Sequence, residues 1–193
     1  MRNLTILILA AGSSKRLGQP KQLVKFQGHS LLQRTVTIAY ACTQQVAVVL
    51  GSQYEQHHQH IAHLDVAIIP NAHWQKGMGN SLKAGMLGVL SQWPATTEVI
   101  VLVCDQPRLT SDHLQRLIKR SGQSSNRVIC SSYLNTLGVP ALFKNEMFGN
   151  LLSMADSEGA KKLIQQNLED VDSIYFEGGE LDIDTPDDLQ KIT

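Results

Sequence analysis

Continuous apolar runs alternate with amphipathic stretches along the first two thirds of the chain. The runs Leu4 to Leu9, Val46 to Leu50 and Val99 to Cys104 are almost entirely apolar, which is typical of strands that are covered on both faces of a sheet. Ser30 to Cys42 and Asn80 to Leu90 carry apolar residues at helical spacing. Strands and helices in alternation predict an α/β fold, in which a mainly parallel sheet has helices on both faces.

Shorter patterns predict the remaining elements and give no reason to divide the chain. No linker, repeat or low-complexity tract interrupts residues 1–193, so we expect a single domain, with a looser pattern after about residue 132. Further strands are predicted at Val66–Ile69, Val128–Ser131, Val139–Phe143 and Val171–Phe176, and further helices at Tyr54–Leu64, Ser111–Lys119, Asn145–Met154, Gly159–Gln166 and from Pro186 onward.

Charge and composition exclude several classes of function. The 17 basic residues balance the 17 acidic ones, so no overall field favours nucleic acid or a membrane, and any anion site must be local. The three cysteines, Cys42, Cys104 and Cys130, form no CxxC pair, which favours a reducing compartment. The apolar run before Gly12 is too short for a membrane span and lacks a cleavage pattern. We therefore expect a cytoplasmic protein without nucleic-acid or membrane partners.

The loop after the first strand concentrates positive charge. Leu7 to Lys21 reads LILAAGSSKRLGQPK, in which a buried strand runs into a Gly/Ser-rich loop with three cations. In an open parallel sheet, ligands bind beyond the carboxyl ends of the strands, where backbone N–H groups and cations hold phosphates. The loop satisfies neither the GxxxxGK[ST] nor the GxGxxG pattern. The loop alone therefore leaves two interpretations open, a polyphosphate site and a basic surface loop.

The longer segment from Leu9 to Val24, LAAGSSKRLGQPKQLV, resembles the signature LAAGxSxRxGxxKxL of the MobA/MocA-type nucleotidyltransferases. It is most similar to the molybdenum cofactor cytidylyltransferases, because the guanylyltransferase branch tends to carry LAGG where this chain has Ala10-Ala11-Gly12. The resemblance implies CTP as the donor, a Rossmann-like nucleotidyltransferase fold with a mixed sheet, and NTP binding by the part up to about residue 132. It implies nucleotide contacts from Leu9, Ala10, Ala11, Gly12, Ser13, Ser14, Lys15, Arg16 and Lys21.

Asp105 follows the run Val99 to Cys104 directly, at the same predicted edge of the sheet as the basic loop. A carboxylate there can hold Mg²⁺ against triphosphate oxygens, and a turn aspartate before Pro107 is the alternative from position alone. Asp105-Gln106-Pro107 resembles the CDQP motif of the family, in which the aspartate is the metal ligand. The resemblance therefore implies a metal-binding role for Asp105.

A second pair of carboxylates stands near the end of the chain. Leu181 to Leu189 reads LDIDTPDDL, so Asp182 and Asp184 lie on one side of an extended segment. Two such carboxylates need a cation or hydrogen-bond donors, and the alternative for Asp184 is a capping role at the last helix. The segment resembles the DIDTPEDL of the family, which implies Asp182 as the second metal ligand, with Asp184 in support.

The segment KGMGNSLKA, Lys76 to Ala84, resembles the GMxxSLxxG of the family. The resemblance implies that Gly77, Asn80 and Ser81 lie near the base and ribose, whereas the spacing alone favours an ordinary helix start after glycine. The C-terminal part matches less well, because the sequence has GVP at 138–140 and DSEGAK at 156–161 where the family often has GHP and GDxGAR. We expect this part to face the acceptor.

Together with the resemblance, these residues predict a Mg²⁺-dependent reaction. A terminal phosphate of the acceptor attacks the α-phosphorus of CTP, and pyrophosphate leaves; Arg16, Lys21 and Asp105 are the predicted catalytic residues. The implied acceptor is molybdopterin, with transient contacts to molybdoenzyme-assembly proteins. Three alternatives remain: a sugar- or polyol-phosphate acceptor, guanylyl transfer to molybdopterin, and a non-catalytic module that binds a nucleotide or cofactor.

Overall fold

The computed structural model describes residues 3–191, in which helices pack on both faces of a seven-stranded sheet. A two-stranded hairpin lies beside this sheet. The strands are β1 (Leu4–Ala10), β2 (Lys25–Phe26), β3 (His29–Ser30), β4 (Val46–Leu50), β5 (Ala67–Pro70), β6 (Glu98–Val103), β7 (Val128–Tyr133), β8 (Thr136–Lys144) and β9 (Val171–Tyr175); the helices are α1 (Leu31–Tyr40), α2 (Tyr54–Ile61), α3 (Met78–Gln92), α4 (Ser111–Gln123), α5 (Phe148–Ser153), α6 (Ala160–Gln166) and α7 (Pro186–Gln190).

The large sheet is mixed and mostly parallel, as predicted, with the strand order β5-β4-β1-β6-β8-β7-β9. The central strand β1 runs parallel to both β4 and β6. β8 runs antiparallel to β6 and β7, because Leu134 and Asn135 turn the chain back directly after β7, both with positive φ. The carboxyl ends of β1 and β6 therefore meet at one edge, and the loops that follow them lie side by side.

Side chains along β1 alternate between two apolar cores. Leu7 and Leu9 belong to the core under α3, α5 and α6, whereas Ile6 and Ile8 belong to the core under α1, α2 and α4. All four side chains are buried. Burial on both faces explains why the central strands read as continuous apolar runs in the sequence, and it confirms the predicted placement of helices on both sides.

Each predicted helix and strand is present, with shifted ends. Helix α3 begins at Met78, two residues before the predicted start, with Gly77 as its N-cap. The segment predicted as one helix at Asn145–Met154 begins with a 3-10 turn before α5. The β2–β3 hairpin was not predicted. Within residues 3–191, no helix is both long enough and apolar enough to cross a lipid bilayer.

Candidate active site

The basic loop after β1 is held in shape by a buried glutamine. The Gln22 amide donates to the carbonyl oxygens of Ala10, at 3.0 Å, and Gly12, at 2.8 Å, and only 1% of the residue is exposed. The Ser14 hydroxyl accepts from the Lys21 backbone N–H at 3.0 Å and donates to the Gln22 side chain at 3.2 Å. Gln22 therefore links both ends of the loop. This role was not predicted from the sequence, because an uncharged side chain gives no signal of it.

Lys21 connects the loop to the carboxylates that were predicted to lie nearby. Its ammonium forms an ion pair with Asp105 and a second one with Asp184, at 3.1 Å. Arg16 pairs with the other carboxylate oxygen of Asp184 at 2.7 Å, and its side chain is mostly exposed. Burial alone would lower the pKa of Lys21, but the charges and hydrogen bonds of Asp105 and Asp184 outweigh it and raise that pKa. Lys21 is therefore fully charged at neutral pH.

The far end of the chain reaches this site through a backbone contact. The Ile183 N–H donates to the Asp105 carbonyl oxygen at 3.0 Å, and the buried Ile183 side chain packs with Leu17 and Leu31. Asp182 and Asp184 flank Ile183 in the sequence, so this contact fixes the backbone between them. The segment 184–188 caps α7, as one alternative predicted, but the cap is Thr185 in a capping box with Asp188, whose carboxylate also accepts from the Asp184 N–H. The Asp184 side chain takes no part in the cap. Its carboxylate binds the cations of the loop instead.

Asp182 lies in a negative environment. Although the residue as a whole is exposed, desolvation of its carboxylate and the charges of Asp105 and Asp184 raise the pKa of Asp182 to about 7. A cation near Asp182 would restore its ionised form at neutral pH. Asp182 thus lies within electrostatic range of both other carboxylates.

The arrangement of Asp105 fits a divalent cation that also has other ligands. Its Oδ2 pairs with Lys21, whereas its Oδ1 is buried and has no hydrogen-bond partner among residues 3–191. In that part of the chain, no three His, Cys, Asp or Glu side chains are grouped closely enough to hold a metal by themselves. A cation here would therefore share one or two carboxylates with phosphate oxygens or water, which is the coordination that Mg²⁺ favours.

A cavity of about 300 Å³ opens beside these charges, on the face of the sheet that α3 covers. Several residues that the sequence analysis did not single out as nucleotide contacts also line it, among them Gln22, Trp74 and Met78. A smaller cavity of about 210 Å³ adjoins it and is lined by Ser14, Lys15, Arg16 and Asp184, among others. The predicted residues that line the larger cavity are Leu9, Ala10, Ala11, Gly12, Ser13, Lys21, Gly77, Ser81 and Asp105.

Asn80 was predicted to contact the nucleotide, but its side chain binds another residue instead. Its backbone N–H and side-chain amide both bind Asp156, at 3.2 and 3.3 Å, and Lys83 pairs with the same carboxylate at 2.5 Å. A Cβ at Gly77 or Gly79 would collide with the backbone at 155–157, so these glycines let that segment lie against the start of α3. The segment from the C-terminal part thus supports one wall of the cavity.

Gln106 holds the loop that carries Asp105. It is buried, and its amide donates to the carbonyl oxygens of Val139, at 3.2 Å, and Gly179, at 3.1 Å. The first contact joins the loop to β8 and the second joins it to the segment before Asp182. The metal-ligand candidates from two distant parts of the sequence are therefore tied together by one neutral side chain.

Comparisons with known proteins identify the family and the fold of the chain. The family described as "MobA-like NTP transferase domain" matches residues 6–171. A probable molybdenum cofactor guanylyltransferase of Trichormus variabilis is 36% identical over 60% of this chain and 52% of its own length, so the chain spans about half of that relative. The purine catabolism protein PucB of Bacillus subtilis is 26% identical over 96% of this chain and 94% of its own length.

Solved structures share the whole fold. The crystal structure of Rv0371c from Mycobacterium tuberculosis superposes with a TM-score of 0.82 and 25% identity, over 98% of this chain and 97% of that one. A second crystal structure of that protein, in complex with manganese, has a TM-score of 0.80 and 22% identity over the same shares of both chains. These likenesses extend from β1 to the segment around Asp182, so they include both ends of the candidate site.

Proposed function

We propose, since the chain belongs to the family of MobA-like NTP transferases, that it transfers CMP from CTP to a phosphorylated acceptor and releases pyrophosphate. The single observation that carries this proposal is the position of Lys21. Its ammonium stands between Asp105 and Asp184 at the mouth of the larger cavity, where the basic loop also ends. A non-catalytic module would have no need for this pairing of cation and carboxylates, and the family is one of transferases.

In this proposal the larger cavity takes the nucleoside and the smaller one takes the outer phosphates. The smaller cavity is lined by Lys15, Arg16 and Lys21, so the three cations of the loop converge on it. Arg16 offers a planar fork for two phosphate oxygens, while Lys15 and Lys21 act as point charges. These charges stabilise the negative charge that builds on pyrophosphate as the bond between the α-phosphorus and the bridging oxygen breaks.

The acceptor phosphate supplies the nucleophile. One of its oxygens forms the new bond to the α-phosphorus, and the electrons of the broken bond leave with pyrophosphate, so no covalent enzyme intermediate is needed. A phosphate is already ionised near neutral pH, and no general base is required. The work of the protein is to align the two phosphates, and Lys21, whose backbone and side chain are both anchored, is suited to this role.

Mg²⁺ is the proposed metal, with Asp105 as its first ligand and Asp182 as its second. When bound, the cation would neutralise the α- and β-phosphate oxygens and draw electron density from the α-phosphorus. The free, buried Oδ1 of Asp105 supports this assignment. Manganese in complex with the structural relative supports a divalent cation in general. We further propose molybdopterin as the acceptor, and a single domain in which the part after about residue 132 binds it.

The choice of base depends on Ala11. The residue is buried in the wall of the cavity, and its carbonyl accepts from the Ser52 N–H at 3.0 Å, which fixes the backbone at this point of the wall. A methyl group there narrows the pocket relative to glycine and favours the smaller pyrimidine. GTP is the second candidate donor, because the Trichormus variabilis relative is named a guanylyltransferase.

Pyrophosphate release tests the proposal. Purified protein is incubated with Mg²⁺, each of the four NTPs and, in turn, molybdopterin, a sugar phosphate and a polyol phosphate. We expect the highest kcat/KM for CTP with molybdopterin. The Ala11→Gly variant should shift the ratio of the CTP and GTP values toward GTP, whereas Ala62→Gly, at an exposed position far from the cavity, should leave it unchanged. A ratio that favours GTP in the unaltered protein would reverse the assignment of the base.

A further inference from the structure

A second large cavity lies at the same edge of the sheet but on the opposite face. Its volume is about 500 Å³. Its wall includes Phe176, which belongs to the core under α1, α2 and α4, and His113 of α4, whose ring stacks on Phe176. The cavity of about 300 Å³ that is proposed to take the nucleoside adjoins α3 instead. Three guanidinium groups line the second cavity, and we call it the arginine cavity. They come from Arg34, Arg108 and Arg116.

Arg116 is neutralised within the wall. Its Nε pairs with Asp112 at 3.3 Å, and an Nη group donates to Nδ1 of His113 at 3.1 Å. His113 is itself uncharged at neutral pH, because burial and the nearby Arg116 lower its pKa to about 4. These three side chains therefore add no net charge to the cavity.

Arg34 and Arg108 have no carboxylate partner within residues 3–191. The Arg34 Nη2 donates to the Leu109 carbonyl oxygen at 3.0 Å, and the guanidinium lies 5.5 Å from the centre of the Phe26 ring. Arg34 therefore has little rotamer freedom left to lose when a ligand binds. The Arg108 side chain is exposed and lies close to Gly178, where a Cβ would collide with it.

One carboxylate opposes them. Glu177 also lines the cavity and has no ion-pair partner among the described residues. With Arg116 and Asp112 balanced, the wall carries the charges of Arg34, Arg108 and Glu177, a net charge of +1. An anion that binds here must approach the two arginines and keep away from Glu177.

We propose that the arginine cavity is a second anion site, separate from the nucleotide site, which binds a phosphate group. Two guanidiniums match the paired oxygens of a phosphate better than they match a halide or a single carboxylate oxygen. Thr110, the N-cap of α4, also lines the cavity, so the positive end of the helix dipole lies nearby. Free phosphate and an organic phosphate monoester would be recognised by the same groups.

The test is a titration of ¹⁵N-labelled protein with inorganic phosphate and, separately, with glycerol 3-phosphate. We expect saturable shifts of the amide signals at 108–116 with at least one of the two probes, and the better binder identifies the source of the phosphate. Arg34→Gln and Arg108→Gln should each weaken binding about tenfold. Arg120→Gln, whose side chain pairs with Asp172 elsewhere, is the matched control and should change nothing.

The variant Glu177→Gln distinguishes a specific anion site from a general attraction of anions to a basic surface. Removal of the opposing carboxylate should strengthen phosphate binding about threefold, with no effect on folding because the residue is exposed. The proposal fails if neither probe shifts these signals, if the shifts are confined to the Gly12–Lys21 loop, or if the Arg108 and Glu177 variants bind as the unaltered protein does. Thermal melting of each variant shows whether it is folded.

Discussion

Replacement of Gln22 by leucine tests whether a neutral side chain shapes the phosphate loop. Leucine keeps the approximate volume of the buried residue and removes its polar atoms. The three hydrogen bonds that disappear join Gln22 to Ala10, Gly12 and Ser14. Gly12 is exposed, so water can replace its lost donor, whereas Ala10 is buried and its carbonyl oxygen loses a partner in a place that water reaches poorly.

The exposure of the two carbonyl oxygens determines how much stability the substitution removes. A hydrogen bond that water can replace contributes about 1 kcal/mol, and a buried group left without a partner costs about 1–3 kcal/mol. We therefore expect Gln22→Leu to lower the free energy of unfolding by roughly 3 kcal/mol, mostly through Ala10. The loop should also lose its fixed shape, so the KM for the NTP should rise about tenfold or more, because the backbone donors and Lys21 are no longer aligned before binding.

Urea denaturation gives the stability, and pyrophosphate release at varied NTP concentration gives the KM. Gln19→Leu is the matched control, because Gln19 lies in the same loop but is exposed. If Gln22→Leu and Gln19→Leu have equal stability and equal KM, the hydrogen bonds of Gln22 do not organise the loop, and the reasoning is refuted.

Three further changes have defined outcomes. Lys21→Met should reduce pyrophosphate release at least about 100-fold. The same variant should bind Mn²⁺ about tenfold more tightly in the absence of nucleotide, because the competing cation beside Asp105 is gone. Electron paramagnetic resonance measures the Mn²⁺ affinity, and weaker binding would contradict this expectation. Asp156→Ala should raise the KM for the NTP severalfold, because the side-chain contacts of Asp156 with Asn80 and Lys83 are lost, whereas Asp187→Ala, at an exposed carboxylate, should not. Finally, burial keeps His113 neutral and lowers its pKa to about 4, so the unfolded chain binds one more proton than the folded protein below about pH 6.5. The free energy of unfolding should therefore fall by roughly 3 kcal/mol between pH 6.5 and 4. Urea unfolding of His113→Gln should show a shallower fall over the same range.

The fold was largely predictable because the central strands are buried on both faces. Such strands leave continuous apolar runs, and β1, β4 and β6 were all recognised in this way. The direction of β8 was not predictable, because it depends on a turn at Leu134 and Asn135, and a leucine with positive φ has no signature in the sequence. The β2–β3 hairpin has strands of two residues each, which are too short to show a period.

In the candidate site, charged residues could be predicted from the sequence and neutral ones could not. Lys21 and Asp105 could be named from the sequence, because charge next to a sheet edge indicates chemistry. Gln22 and Gln106 could not, since their importance comes from burial and from partners that are distant in sequence. The alternation of Asp182 and Asp184 placed both on one side of the chain. It did not show that Asp184 would be the one to reach Lys21.

The contacts of Lys21 explain how one site can hold both a metal and a triphosphate without strong repulsion before they arrive. Arg16 and Lys21 balance Asp105 and Asp184, so each of these charges has a partner in the protein. In the proposed reaction these partners would be exchanged: the cations would turn to phosphate oxygens, and Asp105 would turn to the metal. Because the charges of the free site are already paired and partly desolvated, the exchange would cost less than the burial of isolated ions. The same pairing predicts that metal and nucleotide binding are interdependent, since a phosphate that drew Lys21 away would also free Asp105 for the cation.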